Sequence, residues 1–163
     1  MRFELRVLGQ DDVPLLQALN SLFAEAFEDP ESYLERPPSE AWPRRLLGGP
    51  AFVALVALDE DVVDRGLTAH ELLKFEQERS ELFLYDLAVA GTHRRRGIAT
   101  ALIETLRRIA AERGAVAAFV LADTDEDDAA VIALYRRLGE ESEVLQFDFE
   151  IPPPNADDQS ARR

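Results

Sequence analysis

The 163-residue sequence predicts a single α/β or α+β domain, a central mixed sheet flanked by about four helices. Two patterns carry this prediction. Short apolar or alternating runs, which are typical of strands, outnumber helical runs in the first half of the chain, and a β-α-β-α-β order closes it. The domain is expected to span residues 1–151, and the polar tail 152–163 is expected to be disordered.

The full order expected is β-α-α-β-β-β-α-β-α-β. Alternation in RFELRVL predicts the first strand, and Pro14 followed by an apolar stripe predicts the first helix. The proline-rich stretch EDPESYLERPPSEAWP predicts a loop, which leads into a short second helix near Trp42. Three strands are expected next, at 51–58, from Val62 through LTAHELL, and at 81–90.

The second half of the chain alternates helices and strands. Residues 98–113 carry an amphipathic helical pattern that ends at Gly114. The apolar run VAAFVLA predicts a buried strand, and DDAAVIALYRRLG predicts a helix that stops at Gly139. The alternating stretch EVLQFDFEI predicts a last strand, which is expected to pair across a two-fold axis in a homodimer.

Composition excludes several classes of protein. The chain has no cysteine and two histidines, so no disulfide, cysteine-based metal site or zinc site is expected. A net charge of −14 argues against nucleic acid and suits a cationic partner. No apolar run has the length of a membrane span, and the N-terminus lacks the apolar segment of a signal peptide. The sequence therefore predicts a cytoplasmic protein without a membrane partner.

Positive charge is concentrated at one place, in the stretch YDLAVAGTHRRRGIATALI between a predicted strand and a predicted helix. The first turn of a helix leaves backbone N–H groups unpaired at the positive end of the helix dipole, where phosphate binds. Gly97 lets the backbone approach an anion closely. The spacing Arg94-x-x-Gly97-x-Ala99 therefore predicts a pyrophosphate site, and a solvated basic loop is the alternative.

A strand followed by R-x-x-G-x-A and a helix resembles the acetyl-CoA site of the GNAT superfamily of N-acetyltransferases, and ALYRRLG resembles their tyrosine-bearing helix. A longer match, from LLKFEQERSELFLYDLAV through HRRRGIATALI and then VLQFDF, resembles the aminoglycoside 3-N-acetyltransferases of the gentamicin and fortimicin type. The resemblance runs from about Leu15 to Ile151 and is strongest over Lys74 to Ile103. Asp64 departs from it, because the family usually has glycine there.

The resemblance implies a GNAT fold and acetyl transfer from acetyl-CoA to the 3-amino group of a 2-deoxystreptamine aminoglycoside such as gentamicin, sisomicin or fortimicin, giving resistance. It places the pyrophosphate on the helix N-terminus and the pantetheine arm along the preceding strand, where an N–H of Leu87 or Ala88 stabilises the thioester oxygen. The expected cofactor-binding residues are Leu87, Ala88, Val89, Arg94, Arg95, Arg96, Gly97, Ile98, Ala99 and Thr100.

The acceptor amine must lose a proton before it attacks, so a carboxylate is expected near it. Asp86 is the first candidate, because it stands inside the apolar strand FLYDLAV, and Glu81 is the weaker alternative. A structural hydrogen bond or solvent exposure is the other interpretation of Asp86. The resemblance implies that Tyr135 donates a proton to the departing CoA thiolate, whereas the helical pattern alone also fits a core position.

Acidic residues near these elements are expected to bind the cationic acceptor. The run DTDEDD follows a buried strand and offers complementary charge, although a solvated loop is the ordinary reading of such a run. The residues expected to contact the acceptor are Tyr85, Asp86, Asp123, Asp127, Asp128 and Glu76. Two other functions remain open, namely a GNAT enzyme that acts on a polyamine or protein amino group, and a non-catalytic acetyl-CoA-binding module.

Overall fold

The computed structural model describes residues 3–59, 62–91, 96–123 and 129–152, which contain five strands and five helices. The strands pair in the order β1-β2-β3-β4-β5; β4 and β5 are parallel, and all other neighbours are antiparallel. This confirms the expected mixed, mostly antiparallel sheet. The elements in chain order are β1 Glu4–Val7, α1 Val13–Ala26, α2 Pro30–Leu34, α3 Ala41–Gly48, β2 Phe52–Asp59, β3 Val62–Lys74, β4 Arg79–Val89, α4 Ile98–Glu112, β5 Ala115–Val120 and α5 Ala129–Leu138.

Helices cover both faces of the sheet, so the sheet has two apolar cores. The α4-side core consists of Val53, Leu55, Ala57, Leu67, Ala69, Leu82, Leu84, Ile98, Leu102, Leu106 and Ala110. The α1-side core consists of Leu8, Leu19, Leu22, Phe23, Ala54, Val56, Leu58 and Ala88. Because successive strand residues face opposite sides, the continuous apolar run of β2 serves both cores.

Close packing of α1 on the sheet depends on Gly66. This residue lies in β3 opposite Val56 and Ala88 of the neighbouring strands. A Cβ atom at Gly66 would lie 2.5 Å from Leu19 Cδ1 and 2.6 Å from the carbonyl oxygen of Leu55. The absence of a side chain at Gly66 therefore lets α1 approach the strands that it covers.

Three elements differ from the sequence prediction. The apolar run VAAFVLA, predicted as a buried strand, forms β5, whose four central residues are exposed. The stretch predicted as a loop contains the short helix α2, which starts at Pro30 and is capped by the Asp29 carboxylate, an acceptor for the Ser32 N–H at 3.0 Å. The predicted last strand at 143–151 is not formed, since residues 140–152 have no regular structure and are all exposed. A strand is stable only beside a hydrogen-bonded neighbour, and this segment has none among the described strands.

Residues 153–163 of the predicted tail, 152–163, lie outside the described residues. None of the described helices combines the length and the apolar composition that crossing a membrane requires.

We expect Gly66→Ala to lower the free energy of unfolding by about 1–3 kcal/mol, because α1 or the β2 backbone must move away from the new methyl group. Chemical denaturation measures this change. Gly91→Ala is the matched control, since a Cβ atom there meets nothing within 4 Å. Equal stability of both variants would contradict the packing described for α1.

Candidate active site

One extra residue in β4 determines where Asp86 lies. Along the β3–β4 ladder, Ala69 pairs with Leu84 and the next residue, Thr68, pairs with Asp86. Tyr85 is therefore the residue that β3 does not match, as in a β-bulge. A bulge of this kind shifts the alternation of side chains by one residue. Every second residue of β4 therefore faces one side of the sheet before the bulge and the opposite side after it.

The shift exchanges the two faces of β4. Before it, Leu82 and Leu84 belong to the α4-side core. After it, Leu87 packs against the α4-side core and Ala88 belongs to the α1-side core. Because alternation continues regularly from Ala88, Asp86 also faces the α1 side. The carboxylate is thereby kept out of the apolar core that contains Leu82 and Leu84.

Two hydroxyl groups hold the Asp86 carboxylate. Tyr33, in α2, donates its hydroxyl to Asp86 Oδ1 at 2.9 Å, and Thr68, the cross-strand neighbour, donates to Oδ2 at 3.1 Å. Asp86 is half-buried, and each carboxylate oxygen has room for a further donor, since one oxygen accepts more than one hydrogen bond. The two hydroxyl donors leave hydrogen-bond acceptor capacity on the carboxylate for an ammonium group.

Tyr33 is well placed to remain a hydrogen-bond donor. Burial first, and then its hydrogen bond to Asp86, raise the pKa of the Tyr33 phenol well above its ordinary value of 10.0. Its ring packs against both Phe23 and Phe27 of the α1 region, with ring centroids 6.0 and 5.9 Å away. Asn20 of α1 also donates its side-chain amide to the Tyr33 carbonyl. Helix α1 therefore fixes the position of the phenol.

Beyond the bulge, β4 offers an edge that β5 does not cover. The β4–β5 ladder ends at the pair formed by Leu84 and Val120. Ala90 donates its N–H to the Asp64 carbonyl at 2.8 Å, in register with the β3–β4 ladder. Because hydrogen-bonding direction alternates along a strand, Leu87 directs its N–H and C=O away from β3, towards the side where pairing with β5 has ended.

Helix α4, which begins at Ile98, is the next helix or strand of the chain after β4. Gly97 precedes the helix with φ of 76°, a left-handed conformation that favours glycine, and a Cβ atom there would meet nothing within 4 Å. Ile98 is buried and anchors the first turn in the α4-side core. The N–H groups of the first turn have no partner within the helix by geometry, and helix ends of this kind can bind anions.

Two described arginines, Arg96 and Arg137, lie at this helix end. Arg137 of α5 donates from its guanidinium to Thr100 Oγ1 at 3.1 Å, which brings a cation to the first turn of α4. Arg96 is exposed directly before Gly97. Arg94 and Arg95, which are also expected to bind the cofactor, lie outside the described residues. Ala99, which is also expected to bind the cofactor, is half-buried in the first turn of α4.

An aromatic row lies across the sheet beside Asp86. Ring centroids of neighbours in this row are 5.1–5.5 Å apart, and the row consists of Phe52, His70, Tyr85, Phe83 and Phe119. Tyr85 is 61% exposed, so its ring offers a surface for a ligand next to the carboxylate of Asp86. His70 packs within this row between two rings.

Several predicted residues lie away from this cluster. Glu81 pairs with Lys74 at 3.5 Å, five residues before Asp86 along β4. Glu76 lies in the β3–β4 turn and pairs with Arg79 at 3.2 Å. Asp123 is exposed after β5, and Asp127 and Asp128 lie outside the described residues.

Tyr135, the expected acid, is half-buried in α5 and packs against the α4-side core.

Three residues of the site are not singled out by the sequence pattern. Thr68 carries a weak signal, because a hydroxyl in a buried strand requires a partner. Arg137 stands inside the ALYRRLG stretch beside the more conspicuous tyrosine. Tyr33 carries no signal, since it lies in a proline-rich stretch 53 residues from Asp86.

Among the described residues, no group of three or more His, Asp or Glu side chains is arranged to hold a metal ion.

Comparison with known proteins places this geometry in a family. Residues 16–139 match the acetyltransferase (GNAT) family. The chain is 50% identical to an aminoglycoside acetyltransferase, HMB0005, from an uncultured soil metagenomic sample; the structures superpose with a TM-score of 0.90 over 93% of this chain and 100% of that chain. No curated protein matches the chain significantly.

Two further solved structures are similar. The aminoglycoside acetyltransferase meta-AAC0020, from an uncultured soil metagenomic sample and in complex with sisomicin, is 29% identical, with a TM-score of 0.82 over 92% of this chain and 97% of that chain. The aminoglycoside N-acetyltransferase AAC(6')-Iy in complex with CoA is 17% identical, with a TM-score of 0.71 over 91% of this chain and 95% of that chain, and it shares the fold.

We expect Asp86→Asn to lower the pKa of Tyr33, because the nearby negative charge is removed while burial remains. Since the pKa is raised in the folded protein, the protonated phenol contributes stability below pH 10.0, and this contribution is lost as the pH rises above that value. Tyrosinate absorbance measured against pH gives the change in the pKa of Tyr33. The chain has three tyrosines, and the Tyr33→Phe variant identifies which titration belongs to Tyr33. Asp11→Asn, on the exposed start of α1, is the control, and an unchanged Tyr33 titration in Asp86→Asn would contradict the contact.

Proposed function

The chain belongs to the acetyltransferase (GNAT) family, and we propose that it transfers the acetyl group of acetyl-CoA to the 3-amino group of a 2-deoxystreptamine aminoglycoside of the gentamicin, sisomicin or fortimicin type, and so gives resistance. The observation that carries the proposal is the half-buried Asp86 carboxylate, held by two hydroxyl donors on the part of β4 that lies beyond its pairing with β5. The 50% identity to an aminoglycoside acetyltransferase supports the substrate class. The 3-amine rests on the resemblance over Lys74 to Ile103.

The residues around the end of β4 fit acetyl-CoA, which supplies the acetyl group as a thioester. The first turn of α4, after the left-handed Gly97, suits the pyrophosphate, and Arg96 and Arg137 add positive charge there. The edge of β4 beyond its pairing with β5 suits the amides of the pantetheine arm, which would bind as an added strand does. Of the two N–H groups considered for the thioester oxygen, that of Leu87 is directed away from β3 and suits this role.

Asp86 is the group proposed to accept the proton of the acceptor. An aminoglycoside amine is mostly an ammonium ion at neutral pH, and an ammonium ion does not act as a nucleophile. The Asp86 carboxylate is proposed to bind the ammonium group and to take its proton, directly or through water, which leaves a neutral amine. Tyr33 and Thr68 position the carboxylate through their hydroxyl groups. Tyr135 is proposed to return a proton to the leaving thiolate.

The acceptor is proposed to lie against the exposed ring of Tyr85 on the α1 side of the sheet, next to Asp86. Asp123, which is exposed after β5, is proposed to contribute a further carboxylate, and Asp127 and Asp128 are proposed from the sequence alone to do the same. Glu76 and Glu81 rank below these residues, because basic side chains of the β3–β4 hairpin already pair with their carboxylates. A polycation would be attracted to this surface by its overall negative charge.

The direct experiment measures CoA release from acetyl-CoA with a thiol-reactive dye, for which the cysteine-free chain gives no background. Gentamicin, sisomicin, kanamycin, apramycin, spermidine and a lysine peptide serve as acceptors, and NMR of the product identifies the acetylated nitrogen. Acetylation of the 3-amine of gentamicin or sisomicin is the expected result. Acetylation of a 6′-amine would overturn the regiospecificity, and turnover of spermidine or peptide alone would overturn the substrate class. Acetyl-CoA binding without turnover of any amine would overturn catalysis.

We expect Gly97→Ala to weaken acetyl-CoA binding, because a left-handed φ is unfavourable for alanine and the first turn of α4 must shift to relieve it. Gly114→Ala is a matched control, since Gly114 has φ of 74° at the other end of the same helix and equally free surroundings. Both variants are expected to lose about 1–2 kcal/mol of stability. Calorimetric titration measures the affinity of each variant for acetyl-CoA, and we expect weaker binding only in Gly97→Ala. Equal affinities of the two variants would contradict the pyrophosphate site.

We expect Asp86→Asn to lower kcat/KM for the aminoglycoside by about a hundredfold to ten-thousandfold, the range typical of a general base. Tyr33→Phe is expected to lower it by about tenfold, through loss of one hydrogen bond to a charged group. Steady-state kinetics measures both changes. Glu104→Gln is the control, since it removes a surface carboxylate of α4 that pairs with Arg107. Activity of Asp86→Asn equal to that of Glu104→Gln would contradict the role of Asp86.

A further inference from the structure

A second bulge lies near the start of β3. At this point β2 has one residue, Ala57, between two registered pairs, whereas β3 has two, Asp64 and Arg65. Regular alternation from Gly66, which faces α1, would direct Val63 to the α4 side, yet Val63 packs against the α1-side core. The alternation of β3 therefore changes at Asp64 and Arg65.

Arg65 is a charged side chain in the interior of the protein. It is fully buried, and it stands two residues before Leu67, so it faces the side of the sheet that the α4-side core occupies. An ionised group is unfavourable in such surroundings unless ion pairs and hydrogen bonds compensate for the lost water. The partners of Arg65 therefore decide how this part of β3 is held.

Two carboxylates hold the Arg65 guanidinium. Nη2 of Arg65 donates to Asp64 Oδ2 at 3.2 Å, and Nε forms an ion pair with the other oxygen of the same carboxylate. Asp59, the last residue of β2, has its Oδ2 3.6 Å from Nη2. The side chains of Asp59 and Asp64 are 32% and 16% exposed, so solvent screens these ion pairs only in part. The three side chains together tie the end of β2 to the start of β3.

This cluster is not the most stable way to fill its part of the core. Nη1 of Arg65 is buried and has no hydrogen-bond partner among the described residues. A buried donor without a partner is unfavourable, and apolar side chains in place of a buried ion pair often give equal or greater stability. The arginine at this position thus indicates a role beyond stability.

The second bulge is bonded directly to the end of β4. Arg65 stands opposite Val89, the last residue of β4. The Asp64 carbonyl accepts the N–H of Ala90, the next residue along the chain, at 2.8 Å. The position of Asp64 therefore determines where the chain leaves β4 on its way to Gly97 and the first turn of α4.

We propose that Arg65 is a positioning residue for acetyl-CoA. By holding Asp59 and Asp64, its guanidinium fixes the second bulge, and the bulge fixes the end of β4 that precedes the pyrophosphate site. The inference rests on the proposed placement of acetyl-CoA at β4 and α4, and it does not depend on which amine is acetylated. Asp64 stands where the family that the sequence resembles usually has glycine, so the resemblance does not predict this cluster.

Hydrogen exchange of the Ala90 amide tests the structural part of the inference without any ligand. Arg65→Lys keeps the charge but loses the planar fork that meets both carboxylates, so we expect the Ala90 N–H to exchange about tenfold faster or more. The Glu71 amide, which donates to the Ala51 carbonyl at 2.8 Å, is the internal control and is expected to keep its rate. An unchanged rate at Ala90, or equal acceleration of both amides, would overturn the inference.

The affinity for acetyl-CoA tests the functional part. We expect Arg65→Met and Arg65→Lys to raise the dissociation constant about tenfold in calorimetric titrations, because the end of β4 is displaced. Arg113→Met is the matched control, since Arg113 ends α4 opposite Gly97 and donates to the Glu71 carboxylate at 2.8 Å and to the Pro50 carbonyl at 2.6 Å. This control is expected to lower the midpoint of denaturation and to leave the affinity unchanged.

Kinetics separates positioning from a loss of folded protein. In the Arg65 variants we expect the KM for acetyl-CoA to rise about tenfold, whereas kcat at saturating acetyl-CoA and the KM for the acceptor stay nearly unchanged. A fall in kcat at constant KM would overturn the positioning role, because it reports fewer active molecules. If Arg65→Met does not fold, Arg65→Lys decides the question, since it leaves no carboxylate without a cation.

Gly97→Ala distinguishes failure of this inference from failure of the proposed cofactor site. If Gly97→Ala weakens acetyl-CoA binding and folded Arg65 variants bind as tightly as the unmodified chain, the role of Arg65 is overturned and the cofactor site stands. If neither substitution changes the affinity, the placement of acetyl-CoA at α4 is overturned, and this inference with it.

Discussion

The unmatched residue Tyr85 in β4 is the constraint on which the site depends. With regular alternation, Asp86 would share a face with Leu82 and Leu84, and an ionised carboxylate would lie in an apolar core, where it is very unfavourable without partners. The bulge turns Asp86 to the α1 side and leaves Leu87 to fill the α4 side. One residue therefore serves both the packing of the core and the placement of the candidate base.

The packing of α1 connects the core to this carboxylate. Leu19 reaches the sheet over Gly66, while Phe23 packs against the ring of Tyr33. Tyr33 in turn donates to Asp86. Because burial and the hydrogen bond to Asp86 raise the pKa of the Tyr33 phenol, the phenol is a hydrogen-bond donor at neutral pH. The position of the carboxylate is consequently set by rigid elements rather than by a loop.

Periodicity in the sequence was sufficient to predict most of the sheet and the helix after β4. The strands of the sheet follow apolar runs, and the amphipathic pattern from Ile98 onwards gives α4 nearly to the residue. The role of Asp86 was suggested by a local conflict, because a carboxylate inside an apolar strand needs a partner. Local patterns do not contain that partner, since Tyr33 is 53 residues away and lies in a stretch rich in prolines.

The last predicted strand shows a second limit of the same kind. The alternation in residues 143–151 is genuine, but strand formation also requires a neighbouring edge, which the pattern does not provide. The same limit applies to the bulge, because nothing in FLYDLAV marks Tyr85 as the residue without a cross-strand partner. Sequence periodicity therefore predicts which residues can form a strand, and long-range pairing decides whether and in which register they do.

The most direct test of the central claim is a double-mutant cycle on kcat/KM with Tyr33→Phe and Asp86→Asn. If Tyr33 acts by holding the Asp86 carboxylate, Tyr33→Phe lowers kcat/KM in the unmodified chain and has almost no further effect in the Asp86→Asn background. If the two losses multiply as independent effects, Tyr33 acts elsewhere, and the hydrogen bond between them does not position the base.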